Sequence, residues 1–376
     1  MPYSPSDDHG EARVAATLQG FFPGEVMGSL LLTPSGFRGR VWLPAGVPRP
    51  VSAITEVGRT VRRLWTKSDS ESHLRASTAQ IHDRQIRAFG QAGQALIEAT
   101  RVGIVGVGGT GSPLAEQLVR LGVRDLLLID RDEVLESSNL SRVYGSAFSD
   151  VHPSWWQRVL AKRPRSKVTI VAEHLRAINP HARIRAFRAD VTEASAARRL
   201  LDCDVIFACT DEHWGRAVLN QIAYQYLIPV VNLGVAIDGP EGTITGAVGV
   251  VQVLRPGLGC LWCGNYLNSE RIRAESLPPD ARQALEAEGY LRGVAEPAPS
   301  VVTITTAVAG LAGTLFLQLV TDFMASAGAV ARINYFPLEA VAARGRVPVK
   351  TPCLCSKVKG KGDLEPLPVV PGRSVA

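Results

Sequence analysis

Charge is scarce in this chain: 20% of its 376 residues are charged, and like-charge runs do not exceed short groups such as Arg158 to Lys167 and Lys357 to Lys361. Such sparse charge excludes a solvated, disordered polymer, and the scatter of the basic residues offers no stripe for nucleic acid despite a net charge of +6. The stretch Met1 to Glu11 is polar and lacks the charged-then-apolar pattern of a secretory leader, so a cytoplasmic location is the expectation. One segment, Pro297 to Thr321, is free of charge for a length close to a bilayer. Its threonines, its glutamine and the small pair Gly310 and Gly313 suit a closely packed buried helix better than lipid, and no membrane contact is expected. What is present is hydrophobic: 46% of the residues, enough for a full core and a second small domain.

The stretch from Arg101 to Arg142 organises the rest. Val102 to Val105 is an apolar run that breaks into Gly106, Gly108, Gly109 and Gly111, and LAEQLVRLG then shows helical spacing. A strand, a glycine turn and a helix favour a bound phosphate, because glycines let backbone N–H groups approach closely and the helix start supplies free donors. A second strand, Asp125 to Ile129, ends at Asp130, at the distance where an acid meets a ribose hydroxyl. The same pattern is compatible with a dinucleotide.

Downstream, strands at Ile184 to Phe187, Val205 to Ala208 and Val230 to Leu233 alternate with helices at Ala194 to Leu201 and Gly215 to Tyr226. This rhythm predicts an α/β fold with a doubly wound, mostly parallel sheet. Thr243 to Leu254 reads as an added antiparallel hairpin at the sheet end. Asn265 to Ser300 reads as a crossing loop with a short helix near Asp280 to Glu288. Residues 1–76 form a small β-containing module with two strands around the Pro34-Ser35-Gly36 turn and a further strand or short helix at Thr55 to Trp65. A polar linker, Lys67 to Ser77, leads into a helix carrying Ile81, Ile86, Phe89 and Leu96. The main domain is expected over 77–358, and a Pro-rich disordered tail over 359–376.

Four of six cysteines form two tight pairs, Cys260-Leu-Trp-Cys263 and Cys353-Leu-Cys355, each near a Gly or Pro turn. Four thiolates on short loops are what a structural zinc ion requires, and a cytosolic chain favours metal over disulfide. The alternative is four ordinary thiols. Cys203 and Cys209 flank a strand and read as small buried apolar residues.

Cations and an acid gather around the turn. Asn139 and Arg142 stand one helical turn apart after the second strand, Lys167 opens the next helical pattern, and Asp211 lies at the carboxyl end of a strand, where α/β sheets bind ligands. Triphosphate chemistry needs cations to neutralise developing charge and a carboxylate to hold Mg²⁺.

The order of these pieces resembles the ThiF/MoeB superfamily of ubiquitin-activating-type adenylating enzymes: Asp83-Arg84-Gln85 before the fold, GVGGTG, IDRDEVLESSNLSR, a lysine opening the next helix, NPHARI, CTD and the two cysteine pairs. The likeness runs from about Ile81 to Cys355 and implies a Rossmann-like domain. It implies that Arg84 enters the neighbouring subunit's site of a homodimer, that Asp130 binds the ribose, and that Asn139, Arg142 and Lys167 bind phosphates. Asp211 is then the Mg²⁺-associated acid. The implied reaction joins the C-terminal carboxylate of a ubiquitin-like or sulfur-carrier protein, ending in Gly-Gly, to the α-phosphate of ATP. Its products are an acyl-adenylate and pyrophosphate. The first module faintly resembles the tail of a JAB/MPN isopeptidase domain, with Ser4-Pro5-Ser6-Asp7 fitting a Ser-x-x-Asp element but no preceding His-x-His, and an isopeptidase or conjugating protein is a conceivable partner. Departures stand out: an extra serine at 137 or 138 and Val143 where the family commonly has glutamine, which together put the register of Arg142 in question, and no cysteine between Asn265 and Ser300 for a thioester. Other readings are adenylation of a small peptide or a tRNA modification, an NAD-dependent oxidoreductase, and a non-enzymatic scaffold that binds a ubiquitin-like protein.

Overall fold

The computed structural model describes residues 5–33, 36–44, 48–58, 60–65, 81–133, 135–153, 155, 165–240, 242–278, 281, 299–321, 323 and 329–370. The linker expected at 67–77 and most of the helix expected at 280–288 lie outside them. The chain divides into two compact units, Met1–Glu56 with Arg62–Ala79, and Val57–Val61 with Gln80–Ala376.

The first unit opens with a helix, α1 (Pro5–Phe21), in a polar sequence with little amphipathic pattern to announce it. Of the Ser4-Pro5-Ser6-Asp7 element, Ser4 lies outside the described residues and the backbone of the other three begins this helix. Strands β1 (Met27–Thr33), β2 (Gly36–Trp42) and β3 (Pro48–Pro50) form an antiparallel sheet, and β4 (Ala53–Val57) pairs with β5 (Val61–Trp65). Arg40 on β2 bridges to Glu11 at 3.3 Å and Asp8 at 2.5 Å, which ties α1 to the sheet.

In the second unit α2 (Asp83–Ala99) leads into β6 (Arg101–Val105), α3 (Gly111–Leu121) and β7 (Asp125–Asp130). Ile81, expected on α2, precedes it and is 87% exposed. There follow α4 (Phe148–Val151), α5 (Lys167–Ile178), β8 (Arg183–Arg188), α6 (Ala194–Arg199), β9 (Val205–Ala208), α7 (His213–Gln225), β10 (Val230–Asp238), β11 (Gly246–Leu254), α8 (Ser269–Glu275), α9 (Val302–Thr321), β12 (Arg332–Phe336), β13 (Val341–Gly345) and α10 (Leu354–Lys357). The eight strands run in the order β13-β12-β11-β10-β9-β6-β7-β8. Strands β10, β9, β6, β7 and β8 are parallel, and β11, β12 and β13 are each antiparallel to their neighbour.

The parallel strands read as continuous apolar runs because both faces are covered. Alternate residues supply the two faces. Val102, Ile104, Leu126, Leu128, Phe207 and Leu233 join the core under α3, α5 and α9. Val105, Leu127, Ile129, Ile206 and Ala208 join the core under α7.

Helix α9 is the segment of bilayer length. It is long and apolar enough to cross a membrane, yet in this fold it packs on α3, α2, β10 and β11. Phe316 lies with its ring 6.2 Å from Phe207. The buried Gln318 is satisfied by the backbone of Val330, donating to its carbonyl at 3.5 Å and accepting from its N–H at 3.2 Å. A glutamine inside an apolar run is thus a latch to the start of β12.

Two expectations change, and one hairpin is added. Thr243 to Leu254 is one strand, not two: β11 pairs with a longer β10 across a turn where Gly239 (φ +148°) and Gly242 (φ +81°) take conformations that side chains resist. The strands β12 and β13, a second hairpin, had no clear alternating signal. Residues 359–370 are not a disordered tail but a strap along α7. Gln225 donates to the carbonyls of Gly362 (2.7 Å) and Glu365 (2.5 Å), Gln221 to Pro366 (2.8 Å), and the Trp214 indole to Pro368 (2.7 Å). The strap ends where Val370 exchanges backbone bonds with Thr192 and Ala194. The strap's carbonyls, those of Pro366 and Pro368 among them, accept from the side chains of Gln221, Gln225 and Trp214 in place of regular backbone pairing. Deleting residues 359–376 is expected to lower stability by about 2–4 kcal/mol, from several lost bonds of about 1 kcal/mol each, and to red-shift Trp214 emission. Urea melts followed by fluorescence check this, and unchanged curves would show that the strap holds nothing.

Candidate active site

The strand order reverses between β6 and β9, the place where open α/β sheets bind ligands. A cleft of about 300 Å³ lies there. Gly106, Gly108, Gly109, Asp130 and Asn139 line it, together with Arg142, Lys167 and Asp211. Two expected residues do not. Gly111 sits behind the cleft as the first residue of α3, and Arg84 is exposed on the first turn of α2 away from its own chain's cleft.

The glycine turn follows from close approach. Gly106 has φ +87°, and a Cβ there would lie 2.8 Å from the Cys209 backbone. A Cβ on Gly111 would lie 1.9 Å from the Gly106 carbonyl oxygen, so only glycine lets α3 start this close to β6. The side chain of Arg142 lies over Gly109, 3.1 Å from where a Cβ would stand. Ser112 then ties the turn to the segment beyond Arg142: its hydroxyl donates to Gly108 O at 2.7 Å and accepts from Tyr144 N at 3.0 Å.

Asn139 and Arg142 stand one turn apart, with Arg142 N bonded to Asn139 O at 3.0 Å, so the extra serine does not carry Arg142 away from the cleft. Asn139 is 2% exposed, and its Oδ1 is buried without a partner. Asp130 accepts from Val107 N at 2.8 Å through Oδ2 and from Asp132 N at 3.0 Å through Oδ1. Burial raises its pKa against the pull of those two N–H groups. Lys167, 12% exposed, is ion-paired with Asp132, and Arg131 with Glu212. Sequence reasoning missed Arg131, Asp132, Asp190, Glu212 and Arg216, all on the cleft. Asp132 had a signal, since it stands two residues beyond Asp130 in the same loop.

Burial pushes the thiols of Cys203 and Cys209 up to about 12, so both are protonated at neutral pH and neither is a ready nucleophile. The other four cysteines meet as the spacing implied. Their Sγ atoms lie within 4.8 Å of one another, with Cys260 3.5 Å from Cys263 and Cys353, and Cys263 3.8 Å from Cys355. Four sulfurs about 2.3 Å from a central ion at tetrahedral angles stand about 3.8 Å apart, so the quartet could hold an ion of zinc's size. Backbone N–H groups of Lys350 (3.3 Å) and Cys263 (3.4 Å) already donate to two of the sulfurs, Cys263 Sγ and Cys260 Sγ.

A model of the ThiF family matches residues 82–354, across the cleft and three of the four clustered cysteines. The chain belongs to the ThiF family. The molybdopterin-synthase adenylyltransferase of Escherichia coli (strain K12) is 31% identical over 238 residues, 60% of this chain and 88% of that protein. The sulfur carrier protein ThiS adenylyltransferase of Bacillus subtilis (strain 168) is 29% identical over 176 residues, 46% of each chain. The adenylyltransferase and sulfurtransferase uba4 of Aspergillus clavatus is 31% identical over 181 residues, and the match spans 48% of this chain and a third of that longer protein. Among solved structures, E. coli MccB with ATP superposes with a TM-score of 0.55 at 14% identity over 75% of each chain, which shows a shared fold. These ThiF relatives named by activity are adenylyltransferases.

Gly111→Ala is expected to force α3 off the turn and to weaken ATP binding at least tenfold, about 1.4 kcal/mol, with a lower melting point. Calorimetry with ATP and thermal melts check this; wild-type affinity in the variant would mean that the turn does not shape the cleft.

Proposed function

We propose that this chain is an adenylyltransferase that activates the C-terminal carboxylate of a ubiquitin-like or sulfur-carrier protein ending in Gly-Gly, with ATP as the donor of the adenylyl group. The observation that carries this reading is the convergence of Asn139, Arg142, Lys167 and Asp211 on the cleft beside the glycine turn. A dinucleotide reading leaves Arg142 and Lys167 without a role.

In this reaction the carboxylate oxygen attacks the α-phosphorus, a P–O bond forms, and the bond to the β-phosphate oxygen breaks to release pyrophosphate. Charge grows on the α-phosphate oxygens and on the leaving group, so fixed cations and amide donors supply the acceleration and no side-chain nucleophile is required. Asp130 orients the ribose, and Asn139, Arg142 and Lys167 surround the phosphates. Lys167 exchanges Asp132 for phosphate when ATP enters. Asp211, which lines the cleft, would hold Mg²⁺, whose charge would offset that of the triphosphate. Arg84, exposed on α2, reaches the phosphates of a second copy in a homodimer. With Cys203 and Cys209 held as thiols, the acyl-adenylate itself is the product passed on. The quartet Cys260, Cys263, Cys353 and Cys355 binds a structural zinc ion that fastens α10, and with it the strap, to the loop after β11.

ATP–pyrophosphate exchange is expected only when a Gly-Gly-ended carrier is present. Lys167→Ala and Asp211→Ala are each expected to cut it about 100-fold or more with the melting point unchanged. Exchange at wild-type rates in both variants, or hydride transfer to NAD without ATP, would overturn the assignment. Elemental analysis is expected to find one zinc per chain, lost with unfolding of the 353–370 region in Cys260→Ser; a folded protein free of metal would remove the zinc.

A further inference from the structure

Two cations of the cleft have no carboxylate within 4 Å among the described residues: Arg142, which lies on the glycine turn, and Arg216. Arg216 comes from α7, on the β10 side of the cleft, away from the loop that carries Asn139 and Arg142. It is 9% exposed. Nη2 donates to the Leu233 carbonyl at 3.3 Å, the guanidinium carbon lies 5.1 Å from the centre of the Tyr266 ring, and Nε is buried with no partner. Gly234 makes this arrangement fit, because a Cβ there would stand 2.1 Å from the Tyr266 hydroxyl and 3.5 Å from Arg216 Nη2. One face of the guanidinium is thus covered, one N–H is fixed on the strand, and a buried charge is left without a counter-ion at the cleft wall.

A buried guanidinium without an acid is costly, and an anion that binds it offsets the cost. Arginine's planar fork suits a carboxylate. We propose that Arg216 receives the terminal carboxylate of the acyl donor. The inference rests on the adenylation reading and adds where the donor is held. Arg216 binds one carboxylate oxygen and leaves the other to attack the α-phosphorus. The new bond is carboxylate oxygen to phosphorus, and pyrophosphate leaves with the electron pair of the broken bond. Backbone from Leu233 to Val235 and residues Pro299 and Ser300 border this part of the cleft, so the chain that ends in the carboxylate runs between β10 and the residues before α9.

The test is direct binding, independent of turnover, with acetyl-Gly-Gly as the free acid and as the C-terminal amide, followed by nuclear magnetic resonance on the full chain. The wild-type protein is expected to bind the acid at least tenfold better than the amide. Arg216→Met is expected to abolish that preference and Arg216→Lys to keep part of it, with ATP affinity within twofold of wild type in both. Equal binding of acid and amide by the wild-type protein overturns the proposal without reference to any variant. So does a preference that survives in folded Arg216→Met, and so does a loss of ATP affinity that matches the loss of peptide, which would make Arg216 a phosphate ligand. Carrier-dependent exchange with no acid preference refutes the site and leaves the adenylation reading standing. An Arg216-dependent acid preference in a protein that never exchanges pyrophosphate does the reverse.

Discussion

The approach of α3 to β6 at Gly111 is the constraint on which the site depends. With a Cβ position only 1.9 Å from the Gly106 carbonyl oxygen, the helix starts hard against the strand and fixes the glycine turn that lines the cleft. Several residues of the cleft are referenced to that turn. Ser112 bonds to it and to Tyr144, Arg142 lies across Gly109, and Asp130 accepts from Val107. The neighbouring strand β9 closes the other side, where the Cys209 backbone packs on Gly106. The β6–β9 reversal is a property of the sheet, but the glycines make it usable.

Two of the four cations that line the cleft are neutralised within the protein. Lys167 has Asp132, and Arg131 has Glu212. Such pairs hold long side chains in place and release them to a stronger anion at modest cost, since each pair is partly open to water. Among the described residues Arg142 and Arg216 have no such partner; one lies over the turn and the other against β10. A reaction that joins a phosphate to a carboxylate needs a cation for each.

Much of this was legible in the sequence, for physical reasons. The strand-turn-helix at Arg101 to Leu121 announces itself because a buried parallel strand must be continuously apolar and the turn must be glycine. The cysteine quartet was legible because thiolate pairs on tight turns have few other uses, and the structure brings all four together. Helix α1 was not, since its polar residues 5–21 give a weak pattern and it is tied to its sheet by Arg40 rather than by an apolar face. The strap was misread as disorder because its prolines deny regular structure, while its order comes from Gln221, Gln225 and Trp214 far away in the chain. Arg216 was missed because nothing local marks an arginine on an apolar helix as a cleft residue; its position depends on Gly234 and Tyr266, which fold onto it.

The central claim is that a carboxylate oxygen attacks the α-phosphorus of ATP in this cleft. Labelling both oxygens of a carrier's C-terminal carboxylate with heavy oxygen and analysing the AMP released when a nucleophile cleaves the acyl-adenylate at its carbonyl carbon tests it most directly. The account predicts one heavy oxygen in the AMP phosphate, with pyrophosphate as the co-product. Unlabelled AMP, or ADP and phosphate in its place, would contradict it.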